Sequence, residues 1–385
     1  MRISRGLPLL KVAGIPIEIN YSWILIFVLI TANLAWRWFP SVLPGRPVTL
    51  YYLLSAAGAL VLFLCVLAHE LSHSLVAKRG GAEVQGIVLH VFGGVSLISE
   101  KQYSPSLEFR VAIAGPLLSI ALGFVFWLLR QYAFPDPDTI GHALCTYLYF
   151  INFVLAIFNL LPGFPLDGGR VLRSIIGFWK KDLIAATRIT SRIGRLLAII
   201  FIVYGLFVVL SGNFWGLWTV LIGIFLKDAA EFSYRQVLMQ DLFRGGLVRQ
   251  IMQSPPVVVP PDITIQQFID DYLWHHHYGS FPVGDEKALG ILTFTDVKKI
   301  ASDDRRRLLV RDVMHAANEN LEIAADQPIM KAFEKASNNG VGRLIVVGPD
   351  KKIEGYLSLR DIGRAFQQRS ELTTKTQGQE GSTKT

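Results

Sequence analysis

Six stretches dominated by apolar residues divide the first 228 positions, at about 20–39, 52–77, 107–130, 142–161, 191–211 and 213–228. About 20 apolar residues in a helix span the hydrocarbon core of a bilayer, so these stretches predict six transmembrane helices. The last is short and follows its predecessor across Ser211-Gly212-Asn213, which predicts a tight hairpin. Between the second and third, residues 80–103 carry VQGIVLHVFGGVSLIS. That run alternates and is rich in β-branched residues, so it predicts strands or a re-entrant sheet rather than a helix.

Beyond residue 235 the long apolar runs stop and a repeat begins. Val248-Arg249-Gln250-Ile251-Met252 recurs 62 positions later as Val310-Arg311-Asp312-Val313-Met314, and the Gly290–Val297 segment GILTFTDV recurs after 65 as GYLSLRDI at Gly355–Ile362. Self-similarity at a fixed period marks a repeated structural unit. Each unit reads strand, helix, strand, strand, helix. The predicted organisation is a membrane domain over 1–235, a linker over 236–246, repeats over 247–304 and 305–368, and a polar tail over 369–385. The tail lacks an apolar face, so disorder is the expectation for it.

Charge changes this picture into a topology. The 385 residues are 51% hydrophobic and 18% charged, with a net charge of +8, against about a quarter charged in ordinary soluble domains. Up to residue 235 there are 19 Lys/Arg against 11 Asp/Glu, and beyond it 19 against 19. With the N-terminus inside, 16 of those first 19 basic residues fall in inner connections and three (Arg37, Arg46, Arg130) in outer ones. This predicts a multi-pass protein of the cell membrane with the N-terminus and the C-terminal repeats in the cytoplasm. The excess basic charge belongs to the membrane domain, which argues against nucleic-acid binding. Arg2, Arg5 and Lys11 precede an apolar run that begins only near Tyr21 and lacks a small-residue cleavage pattern, as in a retained anchor. Two cysteines, Cys65 and Cys145, exclude a disulfide framework.

The second apolar stretch contains His69-Glu70-Leu71-Ser72-His73. Histidines four apart share a helix face and can bind one cation, and a glutamate beside them can take a proton from an attacking water. In an apolar run, the alternative of satisfied core histidines leaves a carboxylate to be buried at a cost of several kcal/mol. His69 lies about 14 Å along the helix from the basic end at Lys78-Arg79, inside the membrane and nearer the cytoplasm. A catalytic zinc needs a third protein ligand. The best candidate is Asp167, in a segment broken by two prolines and three glycines after the fourth helix; broken backbone at membrane depth is tolerated where it lines a cavity.

HELSH in a transmembrane helix, the later Phe92-Gly93-Gly94, and Asn159-x-x-Pro162-x-x-Pro165-x-Asp167-Gly168 together resemble the site-2 protease family of intramembrane zinc metalloproteases. The resemblance covers about residues 10–228. It implies one catalytic zinc on His69, His73 and Asp167, Glu70 as catalytic glutamate, Asn159 in the active-site region, and Gly93-Gly94 in a membrane-associated sheet that presents the substrate as an added strand. The implied substrate is the transmembrane segment of a membrane-anchored protein. No PDZ-like insertion fits between these helices. The repeat over about 247–368 resembles a tandem pair of CBS domains, in which Thr293 with Asp296 and Ser358 with Asp361 match the positions that bind ribose and phosphates of an adenine nucleotide. Such pairs also serve structural or homodimerising roles, and both readings stay open. The fold class expected is therefore a polytopic α-helical membrane domain, six helices with a small β-sheet, followed by an α/β CBS pair.

Two other functions compete. A CBS-gated transporter or channel accounts for the repeat but leaves HELSH and Asp167 without a reason. An inactive scaffold is opposed by the intact ligand set and Glu70. His275-His276-His277 cannot face one site on a helix and reads as a solvated helix end, His90 as packing or groove lining, and the aromatic ends (Trp36, Trp38, Phe39; Phe214, Trp215, Trp218) as interfacial belts.

Overall fold

The chain enters through a β-hairpin that the long apolar runs do not predict. Strands β1 (Leu7–Val12) and β2 (Ile15–Ile19) pair antiparallel across Ala13 and Gly14, both at positive φ (51° and 80°), the backbone twist of a two-residue hairpin turn. In the computed structural model, which describes residues 6–90, 93–98, 104–276, 278–285 and 287–382, β2 runs parallel to β3 (Val84–His90), which pairs antiparallel with β4 (Gly93–Ile98). The strands expected within 80–103 thus belong to a four-stranded sheet of order β1-β2-β3-β4. Phe92 lies outside the described residues.

Contacts divide the chain into two units, Ile3–Val237 and Leu238–Thr385. The first holds α1 (Ser22–Val42), α2 (Val48–Arg79), α3 (Pro105–Ala133), α4 (Ile140–Asn159), α5 (Asp167–Lys180), α6 (Leu183–Leu210) and the start of α7 (Gly216–Leu242). Among the described residues five helices, α1, α2, α3, α4 and α6, are long and apolar enough to cross a membrane. The sixth apolar stretch forms only the first half of α7; Lys227, Asp228, Glu231 and Arg235 make the second half polar. Gly212 (φ +85°) turns the chain between α6 and α7. A side chain at Gly205 would collide with the Gly216 carbonyl, so small residues let these helices approach closely. The sheet is seated on α2: Ile15, Ile17 and Ile87 are buried against Leu71 of HELSH and against Leu67 and Leu75 on either side of it.

Two segment expectations are corrected. The linker over 236–246 is helical as far as Leu242 and then turns through Gly245 (φ +71°), because Gln236–Leu242 contains neither Gly nor Pro to stop α7. The tail over 369–385 is helical to Ser382; it has no proline, and the Gln367–Glu371 hydrogen bond (3.2 Å) carries the helix past its apolar part.

The second unit contains β5 (Ser280–Gly284), β6 (Ala288–Thr293) and β7 (His315–Ala316) in one sheet, order β5-β6-β7. Strands β8 (Glu322–Ile323), β9 (Arg343–Val347) and β10 (Ile353–Ser358) form another, order β10-β9-β8, with α8 (Ile329–Asn338) and α9 (Leu359–Ser382) beside them. The leading segments of the two repeats are exchanged. Val248 is buried with Ile329, Leu344 and Leu357 of the second repeat, whereas Val310 is buried with Ile265, Phe281 and Leu292 of the first. Each repeat completes the other's core, so they fold as a pair.

Candidate metal centre and active site

Helix α2 carries His69, Glu70 and His73, with both imidazoles only 3% exposed and their ring centroids 4.9 Å apart. After α4 the chain crosses Leu160–Leu166 and starts α5 at Asp167. A side chain at Gly168 would overlap the Leu160 carbonyl, so glycine there lets α5 begin tight against the loop. Asp167 Oδ2 then stands 3.2 Å from His69 Nε2 and 3.1 Å from His73 Nε2.

The protonation of that cluster follows from its supports. His73 Nδ1 donates to the Val111 carbonyl at 2.6 Å; a carbonyl only accepts, so Nδ1 carries a hydrogen, and in the neutral ring Nε2 then presents its lone pair. His69 Nδ1 is engaged by Ser119 Oγ at 2.8 Å. With neutral rings, lone pairs and a carboxylate oxygen facing one another at 3.1–3.2 Å repel unless a proton or a metal cation sits among them. Two imidazole nitrogens and one carboxylate oxygen within 4.8 Å of one another make the donor set of a catalytic zinc that keeps a fourth position open, and the residues present fit that ion.

The supports come from one stripe of α3. Glu108, Val111, Gly115 and Ser119 are spaced three, four and four apart, so they share a face. Val111 and Ser119 hold the two rings, and a methyl group at Gly115 would overlap both Nε2 atoms. Glu108, 3% exposed, accepts from Arg173 Nε at 2.6 Å and also contacts Nη2; Arg173 is 7% exposed and stacks 4.9 Å over the Phe164 ring. Arg173 is therefore a buried partner of α3 rather than the free headgroup-side cation that a topology count takes it for. The pair ties α5, and with it Asp167, to the helix that orients the histidines.

Glu70 is held by the sheet. Ser96 Oγ on β4 donates to Glu70 Oε2 at 2.8 Å, and Ser74 Oγ donates to Ser96 Oγ at 3.1 Å. A side chain at Gly94 would overlap Glu70 Cγ, and Gly93 has φ +114°. Gly93, Gly94, His90 and Asn159 line the same cavity of about 500 Å³ as His69, Glu70, His73 and Asp167. Sequence reasoning brings in every one of these except the α3 stripe, Arg173, Ser74 and Ser96; a serine or glutamate recurring at helical spacing in an apolar run was the available signal.

In the second unit, Thr293 and Ser358 cap turns that their own Asp296 and Asp361 close: Asp296 N donates to Thr293 Oγ1 at 3.3 Å, and Asp361 N to Ser358 Oγ at 3.2 Å. Both carboxylates are also met by the residue that follows the leading Met of the other repeat. Gln253 donates to Asp361 at 3.3 Å, and His315 lies 2.9 Å from Asp296. Burial alone would raise the Asp296 carboxyl, but the Thr293 hydroxyl and His315 outweigh it and hold the group below the usual carboxylate range. His275 and His276 are exposed on a short helix, and His277 lies outside the described residues.

A metal-ligand set of this kind among helices apolar enough to cross a bilayer defines the class: a membrane-embedded metallopeptidase, here with a paired α/β repeat. Comparison with known proteins agrees. The model of Peptidase family M50 matches residues 57–136 and 137–203, and the CBS domain model matches 248–303 and 310–367. Zinc metalloprotease MJ0392 of Methanocaldococcus jannaschii is 32% identical over 94% of this chain and 97% of its own. Rip3 of Mycobacterium tuberculosis is 30% identical over 93% and 92%. A solved site-2 protease from M. jannaschii is 34% identical, with TM-score 0.42, over 59% of this chain and 94% of that one. The chain belongs to peptidase family M50, the site-2 type zinc metalloproteases, and carries a tandem CBS pair. Neither a CBS-gated transporter or channel nor an inactive scaffold is favoured beside that membership.

Gly115→Ala tests the α3 stripe. The substitution improves helix propensity, yet its methyl occupies the space between the histidines. The expected outcome is a 10–100-fold loss of zinc affinity, read by metal analysis after dialysis, with far-ultraviolet circular dichroism unchanged.

Proposed function

We propose that His69, His73 and Asp167 hold one zinc ion, that Glu70 is the general base and acid, and that the substrate is a transmembrane segment of another protein, added as a strand to the open edge of β4. The observation that carries this reading is the convergence of both Nε2 atoms and Asp167 Oδ2 at 3.1–3.2 Å, with both Nδ1 atoms engaged elsewhere. Zinc held there supplies a Lewis acid that polarises the scissile carbonyl and acidifies water. Glu70, oriented by Ser96, accepts a proton from the attacking water and returns it to the leaving amine. A helical substrate hides its peptide bonds in internal hydrogen bonds; β4 is an edge strand, and pairing with it replaces those bonds as the segment unwinds.

The finer organisation follows the charge pattern. The apolar half of α7 serves as a sixth span, and both ends of the membrane domain face the cytoplasm, as the excess of Lys/Arg in inner connections supports. Metal analysis of the purified protein tests the centre: about one zinc per chain is expected, lost in Asp167→Asn and His73→Ala together with cleavage of a tagged single-span reporter. Cleavage by metal-free protein overturns the reading.

For the CBS pair we propose binding of an adenine nucleotide at Ser358 and Asp361 and at Thr293 and Asp296, with dimerisation through the pair as a route to regulation. A hydroxyl and carboxylate held together beside a strand end, once in each repeat, support it. Titration with ATP, ADP and AMP by calorimetry should show saturable binding to the full chain that Asp361→Ala weakens at least tenfold. No heat with any of the three removes the proposal.

A further inference from the structure

Arg170 is a charged group in the cavity to which the reading above gives no task. It follows Asp167 by three residues on α5, so both side chains leave the same face of the helix, with Cβ atoms about 5–6 Å apart. It lines the cavity that holds His69, Glu70, His73 and Gly94 and is half-buried. Its backbone N–H donates to the Leu166 carbonyl at 3.3 Å, but among the described residues its guanidinium makes no hydrogen bond or ion pair. Arg173, one turn further, is the contrast: it is buried and has Glu108. A guanidinium drawn partly out of water without a partner is unfavourable, and an apolar side chain would pack there at less cost. Such an arginine is suited to a ligand that brings negative charge to this place.

The occupant proposed for the cavity is neutral peptide backbone, which becomes negative at only one atom during hydrolysis. We propose that Arg170 is a catalytic residue whose guanidinium donates to the scissile carbonyl oxygen as charge develops on it. The step balances without a further reagent. The water oxygen bonds to the carbonyl carbon, the C=O π pair moves to the oxygen facing Arg170, and Glu70 takes the water proton. The pair then returns to re-form C=O, the C–N bond breaks, and Glu70 passes its proton to the leaving nitrogen. Arg170 keeps its protons throughout and works by electrostatic preorganisation, where loss of one donor costs about 10²–10³ in kcat.

This inference rests on Glu70 being the base, and the experiment separates the two. Full-length wild type, Arg170→Gln, Arg170→Lys and Glu70→Gln are compared in liposomes on a tagged single-span reporter that the wild type cleaves. Zinc per chain and the Kd of a phosphinic peptide, whose anionic oxygens mimic the charged carbonyl, are measured alongside. Arg170→Gln should lower kcat by about 10²–10³ with KM within threefold and zinc unchanged, and should weaken the phosphinic peptide by the same factor as kcat/KM. Arg170→Lys should recover part of both. Capture of uncleaved reporter should be equal in Glu70→Gln and in Glu70→Gln/Arg170→Gln. Unchanged kcat and phosphinic Kd in Arg170→Gln, a loss confined to KM, or a loss tracking zinc content overturns the role. Full activity of Glu70→Gln overturns the base assignment instead, and the phosphinic Kd then still judges Arg170.

Discussion

Glu70→Gln is expected to lower cleavage of a single-span reporter by about 10⁴-fold, the upper range for removal of a general base, while leaving the zinc content of the wild type. The amide preserves the shape of the side chain and accepts the Ser96 hydroxyl as the carboxylate does at 2.8 Å, so the packing of β4 against α2 is retained. What it lacks is a site for a proton at neutral pH. Because Glu70 accepts from Ser96 while Asp167 Oδ2 meets both histidines, the proposed metal centre should not be disturbed. The variant should therefore hold substrates it cannot cut, which makes crosslinking in membranes a route to the natural ones. Normal turnover by Glu70→Gln would sink the proton-transfer role outright. Loss of zinc together with activity would mean that Glu70 supports the centre rather than serving the reaction.

The parts of this site that were legible in the sequence are those whose chemistry is carried by side chains in an unlikely place. His69, Glu70 and His73 stand out because charge and imidazole interrupt an apolar helix, and Asp167 because proline and glycine break the backbone just before it. The strands over 84–98 show in their alternation. What stayed hidden has no such label. Val111 acts through its carbonyl and Gly115 through the absence of a side chain, so nothing in their residue types points to a metal centre. The hairpin β1–β2 is short and follows the basic residues Arg2 and Arg5, and the turn signal at Ala13-Gly14 is weak beside the long apolar runs. The exchange of Val248 and Val310 between cores is tertiary, since both copies of the repeat look locally alike. Arg173 was readable as a residue but not as a buried one, because an arginine eight positions past Pro165 resembles any cytoplasm-facing cation.

That arginine carries the second large effect. Removing one member of a buried ion pair leaves the other charge without compensation and costs about 3–5 kcal/mol, whereas replacing both with apolar groups is often close to neutral. Arg173→Met leaves the Glu108 carboxylate buried at 3% exposure, and Glu108→Leu leaves the guanidinium among helices. Each single variant should unfold at markedly lower temperature in detergent and lose zinc, because α5 loses its tie to the helix whose Val111 and Ser119 orient the ligands. The double variant Glu108→Leu/Arg173→Met should recover most of the thermal stability. Its zinc affinity decides what the pair is for. If stability returns while zinc binding stays weak, the ion pair sets the angle at which Asp167 meets the histidines. If both return together, apolar packing positions α5 equally well and the charges are dispensable. Single variants as stable as the wild type would show that Glu108 and Arg173 are solvated in the bilayer-embedded protein, and the tie between α3 and α5 would have to lie elsewhere.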